Sequence, residues 1–263
     1  MATRSSDLKR QIAVTVSLVV CIVGSMIGVG VFGGTPIAQA AGGALAADST
    51  LLAPATPAFS IWSVVYAGLA AFTVWQWLPS QRSNPRQRSL GWIVAASMIL
   101  NAAWILSVQA GLLALSVLVI LALLVTLVLA FLRYSQSRTS SGVEAVVVDG
   151  TLGLYFGWTS VAVCANIAAA LKASGFGGFG LRPEVWSVAV LVVVAVVGIA
   201  LAIKGHGRLA LAAAIAWGLV WITVGRSADA PESFPTAIAA AIAAALVLGA
   251  AITVRTRTVL AGR

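Results

Sequence analysis

Eight runs of about 20 apolar residues fix what this chain can become. They lie at about 12–32, 58–78, 90–109, 112–132, 145–171, 184–203, 209–225 and 236–254. Crossing about 30 Å of hydrocarbon takes about 20 residues of helix, and backbone groups in lipid must be satisfied within their own element, so each run reads as a membrane-spanning helix. Charge, Pro and Gly collect between the runs. The shortest separator, Gln109-Ala110-Gly111, is the weakest boundary. With 60% hydrophobic and 9% charged residues and a mean hydropathy of +1.04, little chain is left over for a soluble domain. The expected fold is all-α, a polytopic membrane helix bundle.

Basic residues test this segmentation, because cytoplasmic loops retain Lys and Arg. Thirteen of the sixteen fall on alternate loops: Arg4, Lys9 and Arg10, then Arg82, Arg86 and Arg88, then Arg133 and Arg138, then Lys204 and Arg208, then Arg255, Arg257 and Arg263. Only Lys172, Arg182 and Arg226 fall on the other side. Eight helices with this alternation put both termini in the cytoplasm and the loop 33–57, which has no basic residue, outside. The net charge of +9 is spread along membrane ends, where it serves as a topogenic signal and attracts anionic lipid, so nucleic acid is not an expected partner. Lys9 and Arg10 before the first run, and Ala38-Gln39-Ala40 after it, resemble a signal peptide, but the run's length favours a retained helix.

Few residues invite covalent or metal chemistry. Cys21 and Cys164 lie inside helices with no His or second Cys nearby, so they read as packing residues rather than metal ligands or a disulfide. His206, the single His, sits in the loop Lys204-Gly205-His206-Gly207-Arg208 and reads as solvated. No Walker loop, dinucleotide Gly motif, zinc spacing or Ser/His/Asp set is present, so no catalytic residues are named and no cofactor is required. Asp149 lies a turn or two inside the fifth span. Intramembrane carboxylates often mark ion or proton paths, whereas its nearness to the cytoplasmic end suits snorkelling or a pair with Arg133 or Arg138.

The aromatic residues are more pointed. Pro57-Ala58-Phe59-Ser60-Ile61-Trp62 opens the second helix, and at about 100° per residue Phe59, Trp62 and Tyr66 share one face within roughly 60°. Lipid contact alone would ask for Leu or Val there. In the third helix Ser97, Asn101 and Trp104 share a face, and Asn101 is either an interhelical hydrogen-bonding group, a ligand contact, or both. The fifth helix places Tyr155, Trp158, Ala162 and Asn166 within roughly 80° of one another, with Ala162 leaving a gap. Such a face suits a flat hydrophobic molecule with a few polar atoms. Trp75, Trp77, Trp92, Trp186, Trp217 and Trp221, near helix ends, are assigned to the interfacial belts.

Four elements in order carry a family resemblance over residues 12 to about 172: Gly24-x-x-x-Gly28-x-Gly30 with Gly33-Gly34, Pro57 to Trp62 with Tyr66, Leu100-Asn101-Ala102-Ala103-Trp104, and Trp158-Thr159-Ser160 with Asn166. In these the chain resembles the translocator protein family, also called the tryptophan-rich sensory protein, TspO or peripheral benzodiazepine receptor family. The resemblance implies a five-helix core, residues 1–172, that binds porphyrins, or in some members sterols or aromatic drugs, in a pocket between the helices capped by the first loop. It implies a receptor or sensor of a porphyrin or haem-type ligand, handling or transporting it, in the bacterial cytoplasmic membrane. The pocket would draw on Phe59, Trp62 and Tyr66, on Asn101 and Trp104, and on Tyr155, Trp158 and Asn166. Family members have been proposed to break porphyrin down photo-oxidatively, so catalysis is left open.

The chain departs from the pattern in three places. Phe59 stands where members usually carry Trp, with Ser63 and Val64 where they are more aromatic or proline-containing. The segment Asn166 to Lys172 lacks the Tyr of the animal cholesterol-recognition string, and Leu132-Arg133-Tyr134-Ser135-Gln136-Ser137-Arg138 matches it only weakly elsewhere. Residues 173–263 form a three-helix transmembrane extension that opens with a Gly-rich linker, Ala173 to Gly180, and lines a flank of the bundle or mediates self-association. Gly24-x-x-x-Gly28 permits close helix approach, and family members are often dimers, which leaves a homodimer open. A small proton-coupled secondary transporter using Asp149, or a non-catalytic membrane interaction subunit, are the competing readings.

Overall fold

The computed structural model describes residues 2–33, 35–137 and 139–261, with side chains from residue 5 onward. Gly34, Arg138, Arg263 and the side chain of Arg4 therefore lie outside the described residues. Among the described residues eight long helices are present: α1 (Ala2–Gly28), α2 (Ile61–Trp75), α3 (Pro85–Gln109), α4 (Leu113–Ser135), α5 (Gly142–Ala173), α6 (Pro183–Lys204), α7 (Leu209–Ala228) and α8 (Phe234–Ala261). All eight are long and apolar enough to cross a membrane, and there is no strand among the described residues. The fold is thus the helical membrane bundle that the hydropathy pattern predicts.

Local chemistry sets the helix ends. Asn84 caps α3, its side chain accepting from the Arg86 N–H at 2.8 Å, with Pro85 in the first turn, so the helix starts about five residues before its apolar run. At the weak separator, Gly111 adopts φ +73° and α3 and α4 part there. The first helix shows the largest shift from expectation. It starts at Ala2, ten residues before the apolar run, because its polar first turns are held by other segments: Asp7 by Arg88, and Gln11 by the Gln76 carbonyl at 2.7 Å. It stops at Gly28, short of residue 32, where the chain enters turns with Gly30 and Gly33 at positive φ. In α5, Ser141 caps the first turn and the stretch Ala145–Gly150 is a π-turn before regular helix resumes at Thr151.

Packing follows the order α1 on α3, α3 on α4, α4 on α5, α5 on α7, α7 on α8 and α8 on α6, with α2 set against α1 and α5. Small residues let the helices approach, since van der Waals packing rather than hydrophobicity holds helices together in lipid. A Cβ at Gly24 would lie 3.0 Å from the Ala102 Cβ, and one at Gly28 would overlap Ile105. The Gly24-x-x-x-Gly28 seam is therefore filled by α3 of the same chain rather than left free for a second copy. In α5, Gly153 faces Ala210 and Leu211, and Gly157 faces Ala214 and the Leu211 carbonyl. One apolar core runs through this contact from Val14 to Ala251 and joins the three C-terminal helices to the first five. The Ala173–Gly180 stretch, expected to be a flexible linker, folds as a turn held by the Trp186 indole donating to the Gly178 carbonyl at 2.9 Å.

Outward, Leu118, Val125 and Leu129 of α4, Val192, Val193, Val196 and Val197 of α6 and Ile238, Ile242 and Leu246 of α8 form exposed apolar stripes. Such stripes at helical spacing suit lipid. The basic residues separate by end as the alternation requires. Arg10, Arg82, Arg86, Arg88 and Arg208 share hydrogen-bond networks at one end, and Lys172 and Arg226 both bind the first loop at the other.

Candidate functional site

A short 3₁₀ turn, Thr56–Ser60, leads into α2 and sets the direction of its aromatic face. Pro57 lies in its first positions, and the Ser60 hydroxyl donates to the Pro57 carbonyl at 2.8 Å. Trp62 then becomes the hub of an aromatic cluster. Its ring stacks on Tyr66 (5.4 Å between centroids) and Trp104 (6.2 Å) and meets Tyr155 (6.0 Å) and Trp158 (6.3 Å) edge-on. Phe59 adds an edge contact to Trp158 at 5.8 Å. Pairs in these geometries contribute about 0.5–1.5 kcal/mol each beyond their burial.

A polar layer holds the rings in place. The Tyr66 hydroxyl accepts from the Ser25 hydroxyl at 2.7 Å and from the Asn101 amide at 3.0 Å. Tyr155 donates its hydroxyl proton to the Ser97 carbonyl at 3.0 Å. The Trp104 indole donates to Asn166 Oδ1 at 2.7 Å, and the Asn166 amide donates to Ser116 at 3.0 Å. Asn101 and Asn166 are thus both interhelical ties. Around the rings, the Trp158 indole N–H, Asn101 Oδ1 and the Ser49 hydroxyl remain buried without a partner among the described residues.

Above the rings lies a cavity of about 30 Å³. Leu45, Ser49, Ala53 and Pro54 of the first loop form its roof, and Phe59, Trp62, Trp104, Trp158, Ala162, Ala165 and Asn166 its walls. Of the eight residues expected at the site, Phe59, Trp62, Trp104, Trp158 and Asn166 line this space, while Tyr66, Asn101 and Tyr155 make the floor beneath Trp62. Its volume matches about one water molecule. A larger occupant has to lift the roof.

Fastening of that roof is the part that sequence reasoning missed. Arg226 of α7, only 1% exposed, donates to the carbonyls of Ala47 at 2.8 Å, Thr50 at 3.2 Å and Pro231 at 3.0 Å. It has no carboxylate within ion-pair distance among the described residues. Lys172 donates to the Ser49 carbonyl at 2.6 Å, and the Ala55 N–H donates to the Trp221 carbonyl at 3.1 Å. The Trp217 indole donates to the Ala58 carbonyl at 2.9 Å and its ring packs on Trp221 at 5.7 Å. Trp217 and Trp221 are therefore fixed to the first loop and the start of α2, not simply belt residues as expected. Their spacing of four along α7 was the available signal. Trp77 and Trp92 do lie exposed near helix ends.

Asp149 also departs from expectation. It pairs with Arg86 and Arg208 rather than Arg133, while Arg138 is outside the described residues. Arg86 further pairs with Glu144 at 3.2 Å, and the Arg208 guanidinium lies 4.8 Å from the Tyr134 ring centre. This network ties α3, the α6–α7 turn and the end of α4 to α5, and it makes the carboxylate a structural joint. Among the described residues no group of His, Cys, Asp and Glu could hold a metal ion.

A family model described as TSPO-like protein matches residues 11–254. The match continues well past residue 172, through the three C-terminal helices. No curated protein and no solved structure matches the chain.

Proposed function

The chain belongs to the TSPO-like protein family, and on that premise we propose that it binds a tetrapyrrole such as a porphyrin, or a similar flat hydrophobic aromatic molecule, in the cavity around Trp62. It acts as a receptor or sensor in the bacterial cytoplasmic membrane, with both termini in the cytoplasm. One observation carries the reading: four aromatic rings lie within 6.3 Å of Trp62, next to a buried indole N–H on Trp158 that has no partner. Stacking on Trp faces, with free donors on Trp158 and Ser49 for polar groups, is an adequate mode of recognition for such a ligand.

The small cavity adds a condition. Pockets for ligands of this size are about 300–1,000 Å³, an order of magnitude more than the space present. Binding is thereby coupled to displacement of the first loop, which turns occupancy into a movement at the outer face. Protoporphyrin titrated into the purified protein should quench Trp fluorescence saturably, and Trp62→Ala, Trp104→Ala and Trp158→Ala should each weaken the effect. Non-saturable quenching, or three replacements without consequence, would sink the reading. The transporter alternative rested on Asp149, and a carboxylate clamped by two guanidinium groups favours a structural role.

A further inference from the structure

At the end of the bundle opposite the aromatic cavity, Ser6, Asp7 and Arg10 of α1 and Arg88 and Trp92 of α3 line a recess of about 240 Å³. Its charges do not balance. Asp7 accepts two hydrogen bonds from Arg88, at 2.8 and 2.5 Å, and one from Arg10 at 3.3 Å, so a single carboxylate faces two guanidinium groups. Arg10 is 1% exposed, and its Nε has no partner. Its Nη2 reaches the Arg82 carbonyl at 2.9 Å. Buried charges are ordinarily paired. What this cluster lacks is an anion.

The surroundings say which kind. Trp92, which lines the recess one turn beyond Arg88, is 53% exposed. The anion-deficient recess is therefore edged by an exposed indole near the end of the spans. We propose that this recess binds the phosphate of an anionic phospholipid headgroup, with Trp92 lying along the glycerol and upper acyl region. Gly91 makes the arrangement workable, because a Cβ there would come within 2.6 Å of Arg10 Cδ and push the guanidinium out of place.

Native mass spectrometry of the full chain released from detergent tests this, with phosphatidylglycerol, phosphatidylcholine and inorganic phosphate as separate probes. One phosphatidylglycerol should be retained per chain and phosphatidylcholine should not. Arg88→Gln lowers the local charge by one and should weaken retention about five-fold, whereas Asp7→Asn raises it by one and should strengthen retention. Trp92→Ala, at an exposed position, should weaken lipid retention without altering the folded charge states. Equal retention of phosphatidylcholine overturns the proposal, as does an equal effect of Arg88→Gln and Asp7→Asn. Inorganic phosphate displacing the lipid at low millimolar concentration would assign the site to the free ion instead.

Discussion

Replacing Arg226 by Met removes three hydrogen bonds at once while leaving an unbranched side chain in a buried position. Two of those bonds end on the first loop, at the Ala47 and Thr50 carbonyls, and the third on Pro231. A hydrogen bond to a charged group contributes about 1.5–3 kcal/mol net, so the two loop bonds hold the roof closed by about 3–6 kcal/mol. Relief of the guanidinium's desolvation returns part of this, leaving about 1.5–3 kcal/mol, or roughly a ten- to hundred-fold rise in the open population. The loop should open without the protein unfolding, because the packing of α7 on α5 and α8 remains in place. Hydrogen–deuterium exchange over residues 44–55 should quicken by that factor, and stopped-flow quenching by protoporphyrin should show a faster association rate. Arg226→Lys should fall between the two, since an ammonium cannot span both carbonyls as a planar guanidinium does. Unchanged exchange in a folded Arg226→Met protein would refute the claim that this side chain latches the roof.

Asp149→Asn leaves Arg86 and Arg208 beside a neutral amide, and loss of one partner from a buried ion pair costs about 3–5 kcal/mol, to be read as a fall in the detergent unfolding temperature. A shift of less than a degree or two would show that the network bears little load. Gly28→Val forces α1 away from Ile105 and should destabilise by about 1–3 kcal/mol with no change in oligomeric mass, because the seam lies within the chain. Asn166→Leu strands the Trp104 indole and should cost about 1–3 kcal/mol, with a shift in Trp emission from the altered indole environment.

The spans were legible because bilayer thickness imposes their length, and the aromatic face of Phe59, Trp62 and Tyr66 was legible because helical periodicity places those side chains together. What escaped depends on contacts between distant segments. The polar start of α1 reads as a tail until Arg88, 81 residues away, is found holding Asp7. Asp149 was matched to neighbours in sequence, whereas its partners stand 63 and 59 positions away on α3 and the α6–α7 turn. Ser25 and Ser116 are single polar residues in apolar helices, a pattern that says each needs a partner but not which one. The roof residues Leu45, Ser49, Ala53 and Pro54 have no periodicity at all, so their place over the cavity followed only from family resemblance.

The π-turn at Ala145–Gly150 has a consequence for how α5 tolerates change. A π-turn takes in more residues for each revolution than an α-turn, so the helix carries a phase step between its two ends. Before the step Glu144 meets Arg86, and at its far end and beyond Asp149 meets Arg86 and Arg208 while Tyr155 and Trp158 meet Trp62. Deleting one residue from Val146 to Val148 would erase the step and rotate one half against the other by about 100°. Either the Glu144–Arg86 pair or the aromatic cluster would then keep its bearing, but not both. Point substitutions in this stretch should be absorbed far more readily than a change of one in its length.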